Sequence, residues 1–199
     1  MNWKLDLVVK REYEEHDQTL CFPSTSLVKV LVLSFCTIGI YPWILIYNYW
    51  KTLKTNFGYT NISPFWRTLF CHFMNFSLFP ILGNYANAFK KNIHFPILLA
   101  IIFFITWYHQ TIRKLSYQYS STPQASFMEI IADILFVLGV LIVAYIQFVI
   151  NRVNKENFPD APQNKWSVAN TIWLIVGLVI YAFALYAISQ NNNKTNNNY

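Results

Sequence analysis

The run from Val168 to Ile188 holds 21 residues and no charged side chain. Wound as an α-helix, a stretch of that length reaches across bilayer hydrocarbon, which takes about 20 apolar residues. Phe127 to Ile150 is a second long apolar run, of 24 residues with two acids, Glu129 and Asp133, about 36 Å of helix. Ile93 to His109 is a shorter apolar run that ends in Trp107-Tyr108 with Arg113 and Lys114 beyond. Leu27 to Tyr49 is a fourth, closed by Tyr47, Tyr49, Trp50, Lys51 and Lys54, an aromatic belt with basic anchors. These runs predict an all-α integral membrane protein with about four membrane segments: 27–50, 93–109, 127–150 and 168–188.

Composition agrees. Only 12% of the residues are charged while 55% are hydrophobic, against about a quarter charged in a soluble domain. The formal charge of +6 is dispersed beside apolar runs rather than gathered in a stripe, which argues against nucleic-acid binding. The N-terminus opens with charged residues rather than an apolar core, so no secretory signal is expected. Residues 1–26 read as a polar lead-in in which Leu5, Leu7 and Val9 alternate with polar neighbours. The Asn-rich stretch 190–199 reads as a disordered tail. Residues 27–189 make the single membrane domain between them.

Gly39 and Pro42 interrupt the first apolar run, and a kink is expected there because Pro removes a backbone donor. Ser63-Pro64 signals a helix start. Over 64–79 a helical wheel places Trp66, Leu69, Phe70, Phe73 and Phe76 on one face, and Arg67, Thr68, Cys71, His72 and Asn75 on the other. Such a helix is expected to lie at the membrane interface, aromatic face in the acyl chains.

Orientation follows from lysine and arginine. If the first run is re-entrant, 12 basic residues lie on one side and Arg113, Lys114 and Lys194 on the other. Two crossings before residue 92 reduce the split to 9 against 6. The positive-inside rule favours the re-entrant path, with both Lys10 and Lys91 cytoplasmic.

Gly39-Ile40-Tyr41, then Tyr47, Trp50 and Lys51, then Ile62-Ser63-Pro64-Phe65-Trp66-Arg67 resemble a family of small, uncharacterised bacterial multi-pass membrane proteins. That family carries a Gly-Ile/Leu-Tyr turn and an S-P-F-W-R-A box. The likeness covers about residues 27–80, with Asn48, Tyr49 and Thr68 departing from its pattern. It implies a bacterial inner-membrane location and no particular activity.

Glu129 and Asp133 stand four residues apart, so they share a helix face, and Gln147 and Asn151 return to it 18 residues on. This face reads either as a proton or ion path, or as a helix cap, an anchored acid and a membrane boundary. Trp66, Arg67, Lys90 and Lys91 are candidates for contact with lipid or a partner. Gly139 with Val143, and Gly177 with Ala184, offer grooves for close helix packing, within the chain or between copies. Cys21, Cys36 and Cys71 have no metal-type spacing, the four histidines are scattered, and Ser34 and Ser77 have no local catalytic partner. No metal, cofactor or enzymatic activity is expected. The leading reading is a non-enzymatic scaffold or sensor subunit, oligomeric, binding membrane lipid or a cytoplasmic protein. A conducting channel is the alternative, and a lipid-modifying enzyme a distant third.

Overall fold

The computed structural model describes residues 21–118, 123–159 and 166–196. They form eight helices and no strand: α1 Leu27–Cys36, α2 Ile40–Thr55, α3 Pro64–Leu69, α4 Cys71–Ala88, α5 Pro96–Thr106, α6 His109–Gln118, α7 Pro123–Asn157 and α8 Val168–Asn196. Phe127–Asn157 is the one stretch among the described residues long and apolar enough to cross a membrane. Leu27–Cys36 and Asn170–Phe183 are shorter apolar pieces. The alternating stretch at 5–9 lies outside the described residues.

The first apolar run is two antiparallel helices joined at Thr37–Gly39, where Ile38 and Gly39 take φ of 50° and 87°. Gly39 tolerates that left-handed geometry because it has no Cβ. Its N–H closes α1 by bonding the Ser34 carbonyl at 2.8 Å. The Thr37 hydroxyl donates to the Leu33 carbonyl at 2.6 Å and accepts the Tyr41 N–H at 3.0 Å, tying the end of α1 to the start of α2. Pro42 therefore kinks nothing. It sits in the first turn of α2, where a missing N–H leaves no helical bond unmade.

Contacts with α7 show the reversal. Gly39 faces Phe136, while Tyr49 of α2 and the segment before α1 both meet Gln147. Both ends of the hairpin thus lie toward one end of α7, the base, and its turn lies near mid-helix. The next two helices repeat the path. Arg67 of α3 stacks on Trp50 at 4.4 Å, His72 at the start of α4 meets Trp43, and Tyr85 near its end returns to the base.

The helix expected over 64–79 breaks at Phe70 and resumes as α4, which passes through Pro80 to Ala88. Its two faces separate as anticipated, but the polar one is not at an aqueous boundary. Cys71, His72 and Asn75 are buried against protein while Trp66, Phe70, Phe73 and Phe76 point outward. With α2, α5 and α7 on the inner side, the polar face is enclosed by protein, the Asn75 amide buried without a hydrogen-bond partner among the described residues, and the aromatic face is left for the surroundings.

α5 runs antiparallel to α4, with Phe103 against Phe79 and Phe104 against Phe73. The run expected over 93–109 turns at Trp107-Tyr108 and continues as α6. α7 begins at Pro123, so Glu129 lies inside the helix and does not cap its start. α8 extends to Asn196, so residues 190–196 are helix rather than disordered tail. Extending a formed helix fixes one residue per added bond, without a new nucleation cost.

Of the two expected grooves, Gly139 is filled within the chain. A Cβ there would stand 3.0 Å from Thr106 Oγ1. At Gly177 any Cβ would collide with the Cys36 carbonyl, and Tyr181 donates to the Phe35 carbonyl at 3.0 Å. α8 therefore packs directly on the backbone that ends α1, where the Phe35 carbonyl also accepts the Ile38 N–H at 3.2 Å. The Ala184 side chain lies outside those described.

Candidate functional site

Two polar regions sit inside the bundle. At the base, the non-helical strap Cys21–Ser26 is held by amides from one face of α7. Gln147 Oε1 accepts the Tyr49 hydroxyl at 2.7 Å, and its Nε2 donates to the Pro23 carbonyl at 3.2 Å and to Asn151 Oδ1 at 2.8 Å. Asn151 accepts the Thr25 N–H at 3.1 Å and donates to the Thr25 carbonyl at 2.7 Å, imitating a paired strand. Asn154 donates to the Phe22 carbonyl at 2.6 Å and to Ser24 Oγ at 2.8 Å. Phe22, fully buried, packs among Tyr49, Phe57 and Tyr85 with ring centroids 5.9, 5.2 and 4.8 Å away. Irregular backbone survives in an apolar interior only when its N–H and C=O groups are bonded, and these three amides do that. Burial pushes the strap's Cys21 thiol above its ordinary value, which keeps it a poor nucleophile.

The acid pair is separate from this ladder. Glu129 and Asp133 are exposed, and Asp133 forms an ion pair with Arg113 of α6. Glu129, Asp133, Gln147 and Asn151 share a face by period but not an environment: the acids lie outside, and the amides are enclosed and bonded to the strap. Asn154, one turn beyond Asn151, belongs to the set and was missed. A three-residue step from Asn151, the other helical neighbour spacing, reaches it.

The expected lipid or partner contacts divide as well. Arg67 lies over the Trp50 ring, and Trp66 is turned outward. Lys91 pairs with Glu156 at 2.6 Å, and Lys90 is exposed. Lys29, buried in α1, reaches Asn170 of α8 at 2.9 Å when that amide turns its oxygen inward.

The second polar region lies at the turn of the α1–α2 hairpin. A cavity of about 240 Å³ opens between Gly39, the end of α5 and the middle of α7, and both His72 and His109 line it. The His72 ring lies parallel to Trp107 at 4.2 Å and stacks on Phe103 at 5.8 Å. His72 Nδ1 is 3.6 Å from Cys71 Sγ, and His109 Nδ1 is 2.7 Å from the Thr106 carbonyl. Sequence spacing missed this pair, because the two residues meet only through the α4–α5 reversal. No group of three metal-ligating side chains occurs among the described residues. The chain matches no family model, no curated protein and no solved structure, so the resemblance carried by Gly39–Tyr41 and Ile62–Arg67 rests on those motifs.

Proposed function

We propose that the chain is a non-enzymatic multi-pass protein of the bacterial inner membrane, a self-associating scaffold or sensor subunit. It offers a basic, aromatic cytoplasmic surface to anionic lipid or to a cytoplasmic protein. The observation that carries this reading is the return of both hairpins, α1–α2 and α3–α4, to the base. There Lys51, Lys54, Lys90, Arg152 and Lys155 are all exposed, with Arg67 stacked beside them on Trp50. The positive-inside rule assigns such an end to the cytoplasm. Clustered basic residues near anionic headgroups contribute about 1 kcal/mol each to lipid attraction.

A conducting face on α7 has less support, since Asp133 is neutralised by Arg113 and the Gln147 and Asn151 amides are used on the strap. Lys54 separates re-entrant from crossing paths. With the native cysteines replaced, Lys54→Cys should be shielded from an impermeant thiol reagent in intact cells, and Lys114→Cys labelled. Labelling of Lys54→Cys from outside would replace the re-entrant path with two crossings. For the surface, native mass spectrometry from mild detergent should show anionic lipid or a soluble protein retained. The triple change Lys51→Gln, Lys54→Gln and Lys90→Gln should reduce that retention several-fold, and equal retention would refute the basic-surface role.

A further inference from the structure

We propose that the acidic run Glu12–Asp17 docks on the basic base of its own chain, as a built-in competitor for anionic lipid headgroups. Glu12, Glu14, Glu15 and Asp17 are four of the nine acids in the sequence, set within six residues that hold no lysine or arginine. Lys10 and Arg11 precede the run, on its far side from the strap. Residues 21–199 carry the opposite balance, with 12 lysines and arginines against 4 acids. Opposite charges of this density attract across the low-salt range and lose that attraction as salt rises.

Residues 12–17 lie outside the described residues, but the point from which they are tethered is fixed. Phe22, at the start of the strap, touches every element that carries an exposed basic residue of the base. It stacks on Phe57 at 5.2 Å, just past the end of α2 with its Lys51 and Lys54. It meets Tyr85 of α4 at 4.8 Å, close in the chain to Lys90. Its carbonyl accepts the Asn154 amide of α7 at 2.6 Å, between Arg152 and Lys155. Asp17 stands four residues before Cys21 and Glu12 nine, a reach of at most about 14 and about 32 Å. The whole run is thus held within range of all five basic side chains. The fold itself leaves those charges uncovered. Of the three acids among the described residues, Glu129 and Asp133 lie on the other half of α7, and Glu156 is bonded to Lys91 at 2.6 Å. Lys51, Lys54, Lys90 and Lys155 form no ion pair among the described residues. One exposed pair adds little. Four acids on one short tether act together, because the first contact raises the effective concentration of the rest to about millimolar. That the occupied base then excludes anionic lipid rests on the lipid-binding role proposed above, whereas the docking does not.

Docking is tested on the wild-type full chain in mild detergent, with a carbodiimide that joins carboxylate to amine only where they touch. Peptide mapping should find Glu12, Glu14, Glu15 or Asp17 joined to Lys51, Lys54, Lys90 or Lys155 within one chain at low salt. The yield should fall several-fold in about 1 M salt, where the screening length is about 3 Å. No such joint, or joints only between isotopically distinct copies, would overturn the proposal. Competition is read by native mass spectrometry with phosphatidylglycerol. The combined change Glu12→Gln, Glu14→Gln, Glu15→Gln and Asp17→Asn should raise lipid retention several-fold, and adding Lys51→Gln, Lys54→Gln and Lys90→Gln should abolish the gain. Lysine changes that lower retention beside acid changes that leave it at the wild-type level would mean a lipid-binding base without a competitor, and would overturn the proposal. Lysine changes without effect would refute the lipid-binding role instead, and the cross-links, made without lipid, then decide the docking alone.

Discussion

The two ends of the α1–α2 hairpin treat polar groups differently. At the base, Gln147, Asn151 and Asn154 are bonded to the strap and to one another, with Phe22 filling the space among them. At the turn, His72 and His109 border open space. Buried polar groups tied to backbone by protein amides fix a conformation, whereas those at the turn also border a cavity. The interior of the base is therefore the more tightly specified of the two.

Substitutions at the base should be the more damaging. Phe22→Ala empties an aromatic cage and should cost about 3–5 kcal/mol, seen as a lower unfolding midpoint in detergent. An unchanged midpoint would mean the strap is not needed to hold the base together. Gln147→Leu removes bonds to Tyr49, Pro23 and Asn151 and leaves the Pro23 carbonyl without its amide partner. The expected loss is about 2–3 kcal/mol, together with faster proteolysis before residue 27. Gly39→Ala at the turn forces a side chain into left-handed backbone 3.1 Å from Phe136. A loss of about 1–2 kcal/mol follows, with the base intact by proteolysis. A loss as large as that of Phe22→Ala would erase the contrast between the two ends. Smallest of all is the pair Glu129→Gln with Asp133→Asn. Both acids are exposed, so an effect under about 1 kcal/mol is expected, with no change in membrane current. A lost conductance in a folded variant would restore the channel reading.

Much of the architecture is legible in residue spacing because helices repeat every 3.6 residues. The apolar runs, the break at Gly39 and the helix start at Pro64 all follow from local rules. So does the division of 64–79 into aromatic and polar faces. Which way that division points does not follow, because the direction depends on whether α2, α5 and α7 cover the polar side. Gln147 and Asn151 were visible as a face, but their use required the backbone of Pro23 and Thr25, more than 120 residues away in the chain. The histidine pair is harder still. His72 and His109 have no shared period, and only the antiparallel packing of α4 on α5 brings both to one cavity.

The separation of 126 residues between Thr25 and Asn151 also sets an order in time. At about 5–20 residues per second, the strap leaves the ribosome roughly 6–25 s before its amide partners. Through that interval the carbonyls of Phe22, Pro23 and Thr25 can be bonded only by water or by transient neighbours. The segment must therefore wait at an aqueous face, and it can close only after α7 has been made. A nascent chain stopped short of Gln147 would carry both early hairpins and nothing to latch them.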